Sequence, residues 1–283
     1  MHKNKQIILI TLVIALMGVL FAQPIKGLIK HDKTEEAGHA ANTDAGNAEQ
    51  VNLVSVSAVA KQGLNASLVE QITATEAALR QSEGEERLNL LKKLAGQWDD
   101  VAKPAPVGFS YEEIANLEPN YNNWMKAGDA FTAAFENLQD TLVAPVLTRH
   151  AQSAYQNALN LNANSLEAKT GLGAAIVNGG GAPMQGIALL LEVVKEDPKN
   201  LKANMNLGLF SMRSRQFDKA VDRFKTVIDV KPSADAWFYL ATSYENIGLK
   251  ADAIKAFQQS KAIAADPSLS QFIDRKIDEL SSN

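Results

Sequence analysis

Residues 201–233 read LKANMNLGLFSMRSRQFDKAVDRFKTVIDVKPS, and residues 234–267 read ADAWFYLATSYENIGLKADAIKAFQQSKAIAADP. The second stretch rewrites the first. Leu207, Gly208, Ser211, Ala220, Phe224, Val227 and Pro232 fall in order in one; Trp237, Leu240, Ala241, Tyr244, Ala253, Phe257 and Pro267 do so in the other. Ala220 lies 33 residues before Ala253, and Phe224 lies 33 before Phe257. That period suits a two-helix unit and is too long for a heptad. Within one copy, Leu207, Phe210 and Ser211 share one helical stripe, and Ala220, Phe224 and Val227 share another, so each half predicts a short helix with one buried face. Gly208 or Ala241 on the first helix and Ala220 or Ala253 on the second let the two backbones approach, and Phe224 or Phe257 fills the next gap. Pro232 and Pro267 cannot continue the preceding helix, and Asn200, Ser233 and Ser268 are candidate N-caps for the following ones. A lone hairpin of this kind cannot bury both its faces, so about three units must stack before the array is stable.

This order of Trp, Leu, Gly, Tyr, Ala, Phe and Pro resembles the tetratricopeptide repeat family, whose unit is about 34 residues. The resemblance implies an all-α, right-handed α-solenoid of helical hairpins that acts as a non-enzymatic scaffold. In that family the first helices line a concave groove holding a protein or peptide partner. Carried over position by position, the groove would present Lys202, Met205, Asn206, Leu209, Met212 and Arg213, then Phe238, Tyr239, Thr242 and Glu245. Some members clamp a C-terminal carboxylate with Lys and Asn. Asn206 fits one such position, but Thr170, Met205 and Phe238 stand where a lysine is expected, which argues against that ligand.

Working outward, weaker copies precede the pair. Leu172, Gly173 and Ile176 followed by Gly186, Leu190, Val193 and Pro198 define a unit over 166–200, with Gly179, Gly180 and Gly181 as its loosened turn. Trp124, Ala127, Gly128 and Phe131 followed by Ala151, Tyr155 and Ala158 define another over 121–165. Its insertion, residues 136–148 around Pro145, either lengthens both helices or adds a loop. Upstream, residues 51–120 form an N-terminal helical region, a degenerate or capping repeat. Residues 51–60 alternate in part and lean to helix; Leu64 to Leu79 and Leu88 to Trp98 mark a hairpin; Pro104 and Pro106 break the pattern before a short helix over 111–117. After the pair, residues 268–283 carry Phe272, Ile273, Ile277 and Leu280 as an amphipathic capping helix.

The amino terminus is of a different kind. Behind Lys3 and Lys5, residues 7–25 hold no charge, and at about 1.5 Å per residue such a run is just long enough for a membrane span. Two readings compete. Cleavage of a signal peptide after Ala22 is disfavoured by Leu20 and Pro24, so the expectation is an uncleaved anchor with residues 1–6 in the cytoplasm. Residues 26–50 are poor in large apolar side chains and predict a flexible linker, reaching about 25 Å from the bilayer. His31 and His39 read as solvated. Such a short signal anchor points to a bacterial inner membrane with a periplasmic repeat domain, although Lys26, Lys30 and Lys33 weaken the charge asymmetry that sets orientation.

No cofactor or metal is expected. The chain has no cysteine, which removes disulfides, thiolate metal sites and a cysteine nucleophile. His150 is the single histidine beyond the linker, and neither a zinc motif, a nucleophile elbow nor a phosphate loop is present. Asp99 with Asp100 and Glu112 with Glu113 read as solvated helix ends or starts. The net charge of −4 disfavours bulk nucleic-acid binding. Residues 199–231 are locally basic, with Lys199, Lys202, Arg213, Arg215, Lys219, Arg223, Lys225 and Lys231 against Asp218, Asp222 and Asp229. Salt pairs on a solvated face account for them first, an acidic partner second, nucleic acid last. Self-assembly into a homo-oligomer without a separate client is the alternative to a partner-binding scaffold.

Overall fold

The computed structural model describes residues 51–137 and 143–282. The expected tail, anchor and linker lie outside the described residues. Within them the chain is all-helical, with thirteen α-helices and no strand. No helix of the described residues is long and apolar enough to cross a membrane.

Four helices open the array: α1 (Leu53–Ala60), α2 (Ala66–Leu79), α3 (Gly84–Asp100) and α4 (Pro104–Leu117). Asn65, part of an Asn-Ala-Ser triplet, caps α2 by accepting from the Leu68 N–H at 3.0 Å. The expected break at Pro104 is instead a helix start. Both prolines sit in the first turn of α4, where a missing N–H leaves nothing unsatisfied and the fixed φ is already helical. Helix α4 is therefore longer than 111–117, packs on α3 and lies against the next helix.

Next come four hairpins. They are α5 (Tyr121–Glu136) with α6 (Ala144–Leu161), α7 (Leu166–Gly179) with α8 (Pro183–Glu196), α9 (Leu201–Arg213) with α10 (Phe217–Val230), and α11 (Ala234–Asn246) with α12 (Lys250–Ile263). The inserted residues lengthen both members of the first, which run to 16 and 18 residues where α9 and α10 have 13 and 14. The repeat is written in details as small as single bonds. Ser165, Asn200 and Ser233 accept from the N–H of Ala168, Ala203 and Ala236 at 3.0, 3.0 and 3.2 Å, each satisfying an orphan donor at a helix start. Gly180, Arg215 and Gly248, equivalent in the three turns that follow, are left-handed with φ of 76, 59 and 81°.

The last helix, α13 (Pro267–Ser282), packs on α12 and buries Ile273 completely. The expected cap Ser268 is corrected by two residues: Asp266 accepts from the Ser268 N–H at 2.8 Å, because Pro267 already begins the helix.

Close approach inside two of the hairpins is set by a glycine under a ring. A Cβ on Gly208 would stand 2.6 Å from Cε1 of Phe224, and one on Gly128 would stand 2.7 Å from Cε1 of Tyr155. Between α7 and α8 no ring intervenes. There a Cβ on Gly186 would lie 2.3 Å from the Gly173 carbonyl oxygen, so these two backbones touch directly. Phe131, Phe224 and Phe257 are fully buried, and each such side chain removes enough apolar surface to contribute about 1.5–3 kcal/mol.

Candidate functional site

Helices α5, α7, α9 and α11, the first of each hairpin, stand side by side, each touching the next across the repeat boundary. Together they form the layer that the resemblance expects to line a trough. The six positions expected on α9 lie on one stripe, at i, i+3, i+4, i+7, i+10 and i+11 from Lys202. Met205, Leu209 and Met212 pack on the core shared with α11 while keeping part of their surface open. Asn206 donates to the Lys202 carbonyl at 2.9 Å. Both ends of the stripe reach back to α7. Lys202 Nζ stands 3.5 Å from Glu167 Oε1, an exposed pair of little energetic weight. Arg213 Nη1 donates to Asn178 Oδ1 at 3.0 Å, with its guanidinium 5.6 Å from the Phe210 ring centre.

The four positions on α11 are arranged differently, because α13 stands beside them. Phe238 meets Phe257 edge-on at 5.7 Å and Phe272 of α13 at 5.9 Å. Glu245 accepts from Lys276 at 3.1 Å, a bond that raises the lysine pKa. Tyr239 stacks on Phe224 at 5.6 Å; burial, then the charge of Asp235, pushes its phenol up. Thr242 donates to the Phe238 carbonyl at 3.0 Å. The structure thus gathers the α9 residues into one open stripe and engages Phe238 and Glu245 with the terminal helix.

One feature of the trough escaped the sequence reading. Tyr155 of α6 lies between Gly128 of α5 and Gly171 of α7; a Cβ on Gly171 would come 2.4 Å from the Tyr155 Cζ. Its hydroxyl passes through that window, donates to Asp129 Oδ1 at 2.9 Å and lies 3.2 Å from Thr132 Oγ1. Burial raises the Asp129 carboxyl pKa, against the lowering effect of the Tyr155 bond and of Lys202. Burial, then the Asp129 charge, holds the Tyr155 phenol far above its ordinary range. The available signal was Tyr155 where sister repeats have Phe224 and Phe257, with Gly171 opposite.

The reactive groups are otherwise engaged. His150 Nδ1 lies 2.8 Å from Glu112 Oε1, and its ring packs 4.8 Å from Phe109 and 5.0 Å from Phe131. Glu112 and Glu113 are not helix ends, as the sequence suggested, but lie inside α4; Glu113 accepts from Arg87 at 2.7 Å. Among the described residues no group of three or more His, Asp or Glu side chains is placed to hold a metal ion.

Comparison with known proteins agrees with this geometry. Residues 211–269 match the tetratricopeptide repeat family. Among solved structures, the chain is similar to PilW, a widely conserved type IV pilus biogenesis factor, at 19% identity, covering 71% of this chain and 88% of that one, with a TM-score of 0.55. It is also similar to MamA from Desulfovibrio magneticus RS-1 (16% identity, 64% and 97% covered, TM-score 0.49). A third is YrrB, described as a TPR protein with an unusual peptide-binding site (16% identity, 71% and 98% covered, TM-score 0.45). No curated protein matches. The likeness to PilW shows the fold.

Proposed function

We propose that this chain, which carries tetratricopeptide repeats over residues 211–269, is a non-enzymatic scaffold that holds a segment of another protein in the trough of α5, α7, α9 and α11. The observation that carries this reading is the open stripe on α9. Met205, Leu209 and Met212 offer adaptable apolar surface, and Lys202 and Arg213 frame it with charge.

The uncharged run over residues 7–25 supports a tether in a bacterial inner membrane, with the repeats on the periplasmic side and residues 26–50 as the linker. The handedness expected of the family, and the finer peptide contacts, belong to the same proposal. Among the candidates for contact, Phe238 and Glu245 are already engaged by α13.

Affinity recovery from detergent-solubilised membranes tests it. The full chain should bring down a separate polypeptide, and Leu209→Glu with Met212→Glu should lose that polypeptide while melting as wild type does. Undiminished recovery from the double variant would remove the trough as the binding surface. Recovery of this chain alone would favour self-assembly.

A further inference from the structure

The second helices face away from the trough, and their equivalent positions provide an internal control. Aligned on Ala151, Gly186, Ala220 and Ala253, the position five residues later is Gln156 in α6, Lys225 in α10 and Gln258 in α12, but Leu191 in α8. Two residues before the alignment point stand Arg149, Asp218 and Ala251, but Met184 in α8. Met184 and Leu191 remain 73% and 44% exposed. With Ile187 they form an i, i+3, i+7 stripe on the side of α8 that faces α10. Nothing in the hairpin itself requires the stripe, because α8 is already held to α7 by Gly186, Leu190 and Val193.

This stripe forms one wall of a cleft of about 380 Å³ whose floor includes Leu207 and Phe210 and whose other wall is α10. Cations stand around it. Lys219 and Arg223 line it with the single carboxylate Asp222. Their hydrogen bonds go to neutral partners: Lys219 to Gln216 at 2.6 Å and Arg223 to Asn204 at 3.1 Å. No ion pair to a carboxylate within 4.0 Å engages either of these two among the described residues, whereas Lys202, in the same basic segment, pairs with Glu167. Two cations face one carboxylate on this wall, beside Met184 and Leu191, whose counterparts in the sister repeats are polar, charged or alanine.

We infer that the cleft between α8 and α10 is a second docking surface, on the side opposite the trough, for an acidic amphipathic segment of a partner protein. Apolar residues of one face of that segment enter against Met184, Ile187 and Leu191, and its carboxylates meet Lys219 and Arg223. Residues 31–50 of this chain are acidic in part but lack the apolar side chains to fill the cleft, so the occupant comes from another protein. The inference does not rest on occupation of the trough.

The test uses a labelled synthetic peptide of about 18 residues with leucine on one helical stripe and glutamate elsewhere. Fluorescence anisotropy is read with the full chain in non-ionic detergent, against detergent alone. Saturable binding is expected, weakened at least about tenfold by Leu191→Glu and by Lys219→Glu and unchanged by Leu209→Glu. Met184→Glu, at the more exposed site, repeats the test should Leu191→Glu lower the melting temperature. Any of several results would overturn the inference: equal binding of a scrambled peptide or of one with lysine for glutamate, no saturation up to about 1 mM, or loss on Leu209→Glu. A dimer in sedimentation that Leu191→Glu dissolves would assign the cleft to a second copy and overturn it as well.

Discussion

The Tyr155 hydroxyl donates to the Asp129 carboxylate at 2.9 Å, across the boundary between the two helices of one hairpin and against the first helix of the next. The contact exists because Gly128 and Gly171 leave room for the ring. A methyl group on Gly171 would stand 2.4 Å from Tyr155 Cζ. Alanine is the better helix former by about 1 kcal/mol, but overpacking costs about 1–3 kcal/mol, and a buried ring held on two sides cannot swing away. Gly171→Ala should therefore lower the melting temperature, as thermal unfolding followed by circular dichroism would record.

The same pair gives a pH dependence. Burial holds the folded pKa of Asp129 above its ordinary value of 3.8, so the protonated form favours the native state. This contribution is fully present below 3.8 and is lost as pH rises through the folded value. Asp129→Asn removes the ionisation while keeping an acceptor for Tyr155. Its stability relative to wild type, from urea midpoints, should rise as pH increases through that window and level off above it. A constant difference across the window would contradict the assignment.

Arg215 adopts the left-handed conformation, with φ of 59°, at the turn position that Gly180 and Gly248 fill in the neighbouring repeats. A side chain there costs about 1 kcal/mol that glycine avoids. Arg215→Gly should raise the melting temperature by a few degrees, since its backbone N–H still bonds the Met212 carbonyl at 2.9 Å.

Helix α13 closes the apolar end of the array through a fully buried Ile273. Ile273→Ala should destabilise the chain by about 2–5 kcal/mol, measured by chemical denaturation. Phe272→Ala, at a residue 38% exposed, should have a smaller effect.

Most of the fold was legible because the repeat is carried by steric pairs: Gly208 under Phe224 needs a small residue opposite a ring, and such pairs recur at a fixed offset. The helix over 104–117 was misread because proline marks both a break and a first turn, and only the backbone on either side distinguishes them. The site was partly legible. Positions on α9 follow from helical spacing alone, whereas the cover over Phe238 and Glu245 depends on where α13 comes to rest, which no local pattern specifies. The Tyr155 window was hidden for the same reason: its two glycines lie 43 residues apart and acquire a shared purpose only when α5 and α7 stand together.

Photo-crosslinking from within the trough tests the central claim most directly. A benzophenone side chain at Leu209, activated in intact membranes, should yield an adduct with a second, different polypeptide, while the same group at the outward-facing Gln258 should yield none. No adduct from Leu209, or an adduct only with another copy of this chain, would contradict the account.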